Sequence, residues 1–503
     1  MRTKAFLYST FSTVIMQTVQ IVALFIIPKT IIVFYGSEVN GVVSSITQFL
    51  NYFMVVEAGL SGAAIFALYE PLANKEKEKI NIILSAAKNY YYKSGFAYLL
   101  LLLVFAFLYS NLISVSSINK FELVILIFGL GFAGLTNFFS LAKYRVLLTS
   151  DQKTYIISTA TTASVILFTL IIVVGAKNIS SVAALYMIAS VSFLLRTFIL
   201  KAYVKSNYKG IVYNIKGTTS VLGKRWDVLY LQLLGAVHSG SPMILATLIV
   251  SMKDVSVFSV YNLIVMGVIT IASVFNSGLG SSFGDVIVKR EWEVLRKAYD
   301  EFEAMYFSIL SIVFSCVFIL LIPFIRLYIG VVSDAEYIKP LVGFLATLNG
   351  FLFCLKSPHG MLVISAGLFR ETRWQTLIQG SLVVIVGLIC GVVWKIEGIL
   401  FGMIVSNVYR LIDLNIFISK YFPVIKRKKT IARSIKSFII VILFSLIARI
   451  FQIDYLSLWG WMGYGLLITL IVLLYELLYY ISFDRVVLVA LINRGRYIMG
   501  QQI

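Results

Sequence analysis

The chain has 503 residues, 60% of them hydrophobic and 13% charged, with a formal net charge of +20 and a mean hydropathy of +0.93. So little polar surface cannot coat a water-soluble globule, which excludes the soluble classes and leaves an integral membrane protein. The excess of Lys and Arg is accounted for by membrane topology and anionic lipid headgroups, and no interleaved aromatic and basic groove points to nucleic acid.

A helix rising ~1.5 Å per residue needs about 20 apolar residues to cross roughly 30 Å of hydrocarbon. Fourteen runs qualify, at 6–33, 41–69, 91–112, 122–147, 154–176, 181–203, 227–250, 257–281, 303–325, 341–366, 375–394, 398–419, 435–453 and 460–482. The expected fold class is therefore all-α, a polytopic membrane protein of about 14 transmembrane helices. The first run follows Arg2 and Lys4 as a signal peptide would. It is too long, lacks a small-residue cleavage site and leads at once into another span, so it is read as retained. The stretch 17–79 organises the rest: its two spans carry Gln17, Gln20 and Lys29, then Gln48, Asn51 and Glu57, followed by small residues and a Lys/Glu run at 74–79. A helix facing only lipid has no use for such groups.

One set of loops holds Arg2 and Lys4, the lysines from Lys75 to Lys88, the cluster from Lys201 to Arg225, Lys289 to Lys297, and Lys426 to Lys436. The alternate loops hold little beyond Lys120, Lys177, Lys253, Lys339 and Lys395. This asymmetry predicts a multi-pass cell-membrane protein with both termini in the cytoplasm. The longest connections, near 204–226 and 420–434, are basic, and neither can bury a core of its own.

An internal repeat is expected. Pro28 and Pro242 each interrupt the first span of a half, and twelve residues on Asn40-Gly41-Val42 and Asp254-Val255-Ser256 each open the next span. The reading is two six-helix lobes in parallel repeat, 1–210 and 211–425, followed by two extra spans and a cytoplasmic tail at 426–503.

Several strings that look catalytic are discounted. Gly129-Leu130-Gly131-Phe132-Ala133-Gly134 matches a dinucleotide fingerprint but lies inside an apolar span with no strand before it, where small residues serve helix packing. The run from Gly217 to Lys224 misses a phosphate-binding loop by one spacer and lacks the following Ser or Thr. Cys316, Cys354 and Cys390 show no paired spacing, and His238 and His359 stand far apart. No cofactor, metal site or enzymatic centre is expected.

What remains is polar material at membrane depth, where an ionisable group costs at least ~2.5–3.5 kcal/mol and is a functional candidate by default. Lys29 either snorkels to the outer headgroups or faces a cavity. Glu57 pairs with a nearby Lys or Arg, acts as a protonatable coupling group, or serves in packing; pairing is placed first. Lys143 and Arg145 read as topology anchors, and Arg196, Arg410 and Asp413 as structural ion pairing. Lys356 and His359 flank Pro358, whose kink frees backbone groups.

The fourteen-span pattern, with Tyr35-Gly36-Ser37-Glu38-Val39-Asn40-Gly41 and Glu57-Ala58-Gly59-Leu60-Ser61-Gly62-Ala63, resembles the Wzx-like polysaccharide flippases of the multidrug/oligosaccharidyl-lipid/polysaccharide (MOP) superfamily over nearly the whole chain. The second string is similar to that family's acidic-x-Gly-Leu signature. Phe66 stands where many relatives place an Arg, which shifts the expected substrate contact to Lys29. The resemblance implies transfer of undecaprenyl-pyrophosphate-linked oligosaccharide from the inner to the outer leaflet, by alternating access of two lobes around a central chamber. Its implied partners are that lipid-linked substrate, membrane lipids, polysaccharide assembly proteins and a coupling H+ or Na+. Under this reading Lys29 and Lys356 lend positive potential to the chamber, and Gln17, Gln20, Asn51, Glu57, Asn276 and His359 shape it. The rivals are a multidrug antiporter of the same superfamily, which usually has twelve spans, and a membrane polysaccharide polymerase or glycosyltransferase, which needs longer outer loops than these.

Overall fold

The computed structural model describes residues 2–57, 60–113, 115–213, 215, 225–330, 332–368, 370–450, 457–483, 485, 489 and 493. Every regular element among them is helical, and eleven of these helices are long and apolar enough to cross a membrane. The protein is an all-α, multi-pass membrane protein. Among the described residues each of the fourteen expected spans falls on helix, with 58–59 of the second and 451–453 of the thirteenth lying outside them; the eleven long helices are fewer because some spans are broken, shortened or joined. Two compact units are distinguished, Met1–Ser259 and Val260–Ile503.

In the first unit, α1 (Arg2–Tyr35) lies against α7 (Thr154–Gly175), where Thr13 and Ser158 share a 3.2 Å hydrogen bond and the Tyr8 and Tyr155 rings sit 6.4 Å apart. Gly36, at φ 89°, reverses the chain in one residue, a conformation that suits glycine. The second span is not one continuous helix: α2 (Ser37–Phe53) passes into a 3-10 turn at Met54–Glu57, and α3 (Leu60–Ala73) completes it. Helix α4 (Lys77–Leu112) starts well before the expected 91. Its early turns are too polar to count as a span, yet they bury a stripe of Ile80, Ile83, Leu84 and Ala87 at helical spacing.

The fourth span is interrupted too, with α5 (Lys120–Thr136) and α6 (Ala142–Ser150) joined by a π-helical turn at Asn137–Leu141. The glycines of α5 are packing positions. A Cβ on Gly131 would meet Leu102 at 2.7 Å, and one on Gly134 would meet Tyr98 at 2.3 Å. Tyr98 Oη donates to the Gly131 carbonyl at 3.2 Å, which seals the α4–α5 contact. Asn119 and Ser181 cap α5 and α8 (Val182–Ser190), each accepting the N–H three residues on. Helix α9 (Ser192–Asn207) follows, then α10 (Arg225–Ile249) and the first turns of α11 (Met252–Val288).

Helices α10 and α11 meet α2 along polar and small side chains. Asn40 Nδ2 donates to Ser256 Oγ at 2.7 Å, Thr247 Oγ1 donates to Ser45 Oγ at 2.8 Å, and Tyr109 Oη donates to the same Ser45 at 3.0 Å. The approach is close enough that a Cβ on Gly41 would lie 1.8 Å from the Met252 carbonyl oxygen. Residues 40 and 256, which open corresponding spans in the expected repeat, therefore touch each other.

The second unit continues α11 and adds α12 (Trp292–Ile329), α13 (Pro340–Ser365), α14 (Arg373–Tyr421), α15 (Arg427–Ile450) and α16 (Leu458–Phe483). Helix α14 holds two spans, because Lys395 at φ 52° and ψ −126° breaks it into a tight hairpin. Gly402 lets the two arms close, with its would-be Cβ 2.5 Å from Gly387 N. Helix α12 carries the last two spans: Leu320, Ile440, Ile468 and Val472 form a common apolar cluster. Below it runs an ionic seam, where Arg433 meets Glu303 at 3.0 Å and Asp300 at 2.7 Å, and Lys436 meets Glu476 at 2.7 Å.

Gly41→Ala is expected to lower stability by about 1–3 kcal/mol, because backbone rather than a movable side chain occupies the space. Gly267→Ala, with nothing within 4 Å of the added carbon, is expected to raise it by about 0.4–1 kcal/mol. Thermal unfolding of the two variants in detergent checks the opposite signs.

Candidate functional site

Several of the charged residues that sequence singles out at membrane depth collect into a cluster in each unit. In the first, Glu57 closes the 3-10 turn and its carboxylate pairs with Arg145 of α6. Asn137, the first residue of the π turn, donates from Nδ2 to Glu57 Oε2 at 2.8 Å, and Arg145 Nη1 donates to Asn137 Oδ1 at 3.5 Å. The π turn explains how these residues meet. In a regular helix, positions eight apart are rotated by about 80°; absorbing one extra residue reduces this to the offset of seven, about −20°. Asn137 and Arg145 thereby share a face.

Arg196 of α9 adds a second guanidinium close enough to Arg145 to repel it. No hydrogen bond or ion pair satisfies Arg196 among the described residues, and its Nε is buried without an acceptor. The cluster holds two cations and one carboxylate.

In the second unit Pro358 removes an N–H from α13 and so frees the Cys354 carbonyl, which accepts instead from Tyr306 Oη at 3.3 Å. Beside this interruption Lys356 Nζ donates to Asn407 Oδ1 at 2.7 Å, and Asn407 Nδ2 donates to Asn349 Oδ1 at 2.7 Å. The ammonium also lies 4.7 Å from the centre of the Phe353 ring. Lys356 is 7% exposed, and no carboxylate pairs with it among the described residues. The nearest acid–base pair is Arg410 with Asp413 at 2.6 Å, and Arg410 repels Lys356. Arg410 further donates to Thr376 Oγ1 at 3.3 Å. Again two cations accompany one carboxylate.

The remaining sequence candidates lie elsewhere. Gln17 and Gln20 are exposed on α1 one turn apart. Lys29 stands on a separate exposed stripe of the same helix, at heptad spacing with Phe11, Ile15, Thr18, Val22, Ile26 and Val33. Asn51 is exposed on α2. His359, one turn from Lys356, is buried edge-on against Tyr299 with ring centres 6.3 Å apart. Asn276 lies on α11, and its side chain is outside the described residues. Sequence reasoning treated Arg145 as an anchor and Arg196 as a structural pair. Their signal was present as cations inside apolar spans, but their partners lie on other helices.

No family model and no curated relative matches the sequence. Solved structures do. An inward-facing multidrug resistance MATE family transporter of the MOP superfamily is 15% identical with a TM-score of 0.65, over 79% of this chain and 94% of that one. Lipid II flippase MurJ, in an inward closed conformation, is 14% identical with a TM-score of 0.68, over 95% of this chain and 99% of that one. An outward-facing multidrug resistance MATE family transporter of the same superfamily is 14% identical with a TM-score of 0.56, over 85% of this chain and 97% of that one. At these identities the likeness establishes the fold: this is an all-α transporter fold of the MATE and MurJ kind.

Glu57→Gln is expected to destabilise the first unit by less than the ~3–5 kcal/mol of a fully buried broken pair, because 32% of the Arg145 side chain stays exposed. Adding Arg145→Gln is expected to recover part of the loss. A double-mutant cycle on thermal unfolding measures the coupling; additive losses contradict the pairing.

Proposed function

We propose that the protein is a flippase that moves a lipid-linked oligosaccharide, attached through a diphosphate to an undecaprenyl chain, from the inner to the outer leaflet of the cell membrane. The observation that carries this reading is the uncompensated positive charge in each unit, Arg196 in one and Lys356 in the other. A diphosphate and its sugars cannot enter hydrocarbon without hydrogen bonds and countercharge. Arginine suits the task because its planar fork matches phosphate oxygens, while the amide ladder of Asn407 and Asn349 keeps the Lys356 ammonium hydrogen-bonded when no anion is near.

In this proposal alternating access exposes the two clusters in turn to the anionic headgroup, and the prenyl tail stays in lipid. The exposed Lys29, Gln17, Gln20 and Asn51 contact the sugars. Both termini face the cytoplasm, and polysaccharide assembly proteins receive the product. Coupling to H+ or Na+ falls to Glu57 or Asp413, the acids of the two clusters. The likeness to the lipid II flippase supports the reading, since it extends over 95% of the chain.

The multidrug reading draws on the two MATE likenesses. An organic cation requires a free acid at membrane depth, and Glu57 and Asp413 are each already neutralised by an arginine. That arrangement favours an anionic cargo.

Lys356→Gln is expected to leave thermal stability unchanged or higher, because it removes a buried charge and keeps a donor for Asn407 Oδ1. The same change, and Arg196→Gln, are expected to lower export about tenfold or more, the loss of a charge-assisted hydrogen bond. Complementation of a flippase-deficient strain at equal expression measures this, alongside drug-resistance assays on the same strains. Wild-type export by both variants overturns the assignment, and drug resistance without export establishes the rival.

A further inference from the structure

Where α9 ends, the chain does not run free. Gly210, at φ 91°, turns it back along α4, and two α4 side chains hold its backbone. Asn81 Nδ2 donates to the Gly210 carbonyl at 3.1 Å while its Oδ1 accepts from Val212 N at 3.1 Å, and Ser85 Oγ accepts from Ile215 N at 3.1 Å. An Asn and a Ser on successive turns of a helix thus hold the backbone groups of Gly210, Val212 and Ile215.

Pinning this segment creates a cavity of about 300 Å³ against α6 and α9, lined by Lys201, Lys205, Lys209, Tyr144, Tyr208 and Tyr213 among others. The described residues of the lining include no carboxylate. The nearest acid is Asp151, which is already engaged by Lys153 at 2.9 Å and by the Tyr208 hydroxyl at 2.5 Å. Behind the lining, the Lys143 ammonium sits 5.0 Å from the Tyr144 ring centre and 5.5 Å from that of Tyr213, and feels the like charges of Lys88 and Lys201. The two rings meet edge to face at 5.9 Å. The Tyr213 hydroxyl is buried and has no hydrogen-bond partner among the described residues. Burial pushes its pKa up, so it remains a donor throughout the neutral range.

A concave site with three lysines, a buried and unpartnered hydroxyl, and no acid among its described residues is built for an anion. Its position just beyond the ninth helix, where sequence places the membrane boundary, selects an anion carried on a lipid. We propose that this cavity is a binding site for the phosphate of a lipid headgroup, with Lys201, Lys205 and Lys209 supplying charge and Tyr213 the hydrogen bond. It is separate from the Glu57–Arg145–Arg196 cluster and does not depend on the identity of the transported molecule. Two sources share this chemistry, an anionic glycerophospholipid and a prenyl diphosphate.

Native mass spectrometry of the purified full-length protein, titrated with phosphatidylglycerol, phosphatidylcholine or a prenyl diphosphate, tests it. Phosphatidylglycerol or the prenyl diphosphate, or both, is expected to bind more tightly than phosphatidylcholine, and which of them does identifies the source. Lys201→Gln/Lys205→Gln/Lys209→Gln is expected to weaken that binding about tenfold or more. Tyr213→Phe, which keeps the ring and the charge, is expected to weaken it severalfold. Lys426→Gln/Arg427→Gln/Lys428→Gln removes the same charge from a different basic loop and is expected to leave it unchanged. Equal losses in the two triple variants would reduce the effect to general surface charge and overturn the proposal. So would binding within twofold of wild type in the Lys201/Lys205/Lys209 variant, or phosphatidylcholine binding as tightly as the anionic lipids. Matching size-exclusion and melting profiles exclude misfolding as the cause of a loss.

Discussion

A carboxylate at membrane depth must meet a cation or hydrogen-bond donors, and much of the first unit is arranged around meeting that requirement for Glu57. Arg145 and Asn137 reach it from the neighbouring span. Neither helix stays regular in doing so: one tightens to a 3-10 turn at Met54–Glu57 and the other widens to a π turn at Asn137–Leu141. Both departures weaken backbone hydrogen bonding, a cost that uniform α-helices would avoid. The side-chain network they permit satisfies the Glu57 charge and both polar atoms of the Asn137 amide, which would otherwise be stranded.

How much of this was legible depended on the range of the interaction concerned. Hydropathy located the spans because burial in lipid is a property of each residue on its own, and among the described residues all fourteen expected runs fall on helix. The discounting of the Gly129 to Gly134 string rested on the same local logic, and the close contacts of Gly131 and Gly134 with Leu102 and Tyr98 give the physical reason. The helix breaks were not legible. Pro358 announced an interruption, but Tyr306, which repairs it, stands 48 positions away. The π turn has no proline or glycine to mark it, since its cause is the Glu57–Asn137 hydrogen bond across 80 residues. Polar early turns hid the true starts of α4 and α12 from a method that counts apolar runs. The candidate site was legible as a set of unusual residues, Lys356 and Glu57 among them, and not as a set of pairs.

The ionic seam beneath α12, α15 and α16 gives a standard against which the two clusters can be judged. There Asp300, Glu303 and Glu476 face Lys429, Arg433 and Lys436, three acids against three bases. Buried pairs of this kind add little net stability, because desolvation offsets most of the attraction. What they do supply is register. The outward faces of α15 and α16 are apolar, with residues such as Ile439, Leu446, Leu470 and Leu474 exposed, and such a surface leaves a helix free to rotate or slide in lipid. Matching Arg433 to Glu303 and Lys436 to Glu476 permits one alignment.

In that seam the charge of the described residues is balanced. The clusters around Arg145 and Lys356 depart from that balance by one positive charge each, although neutral residues at Arg196 or Lys356 would be cheaper to bury. Packing gains nothing from the imbalance: Arg196 makes no described contact that needs a cation, and Asn407 holds Lys356 through an oxygen that a neutral donor would satisfy as well. Under the proposed function, an anion that shares the site for part of the cycle offsets this excess. On that proposal, the stoichiometry of acids and bases, more than the presence of any one charged residue, distinguishes groups that hold the helices together from groups that meet a ligand.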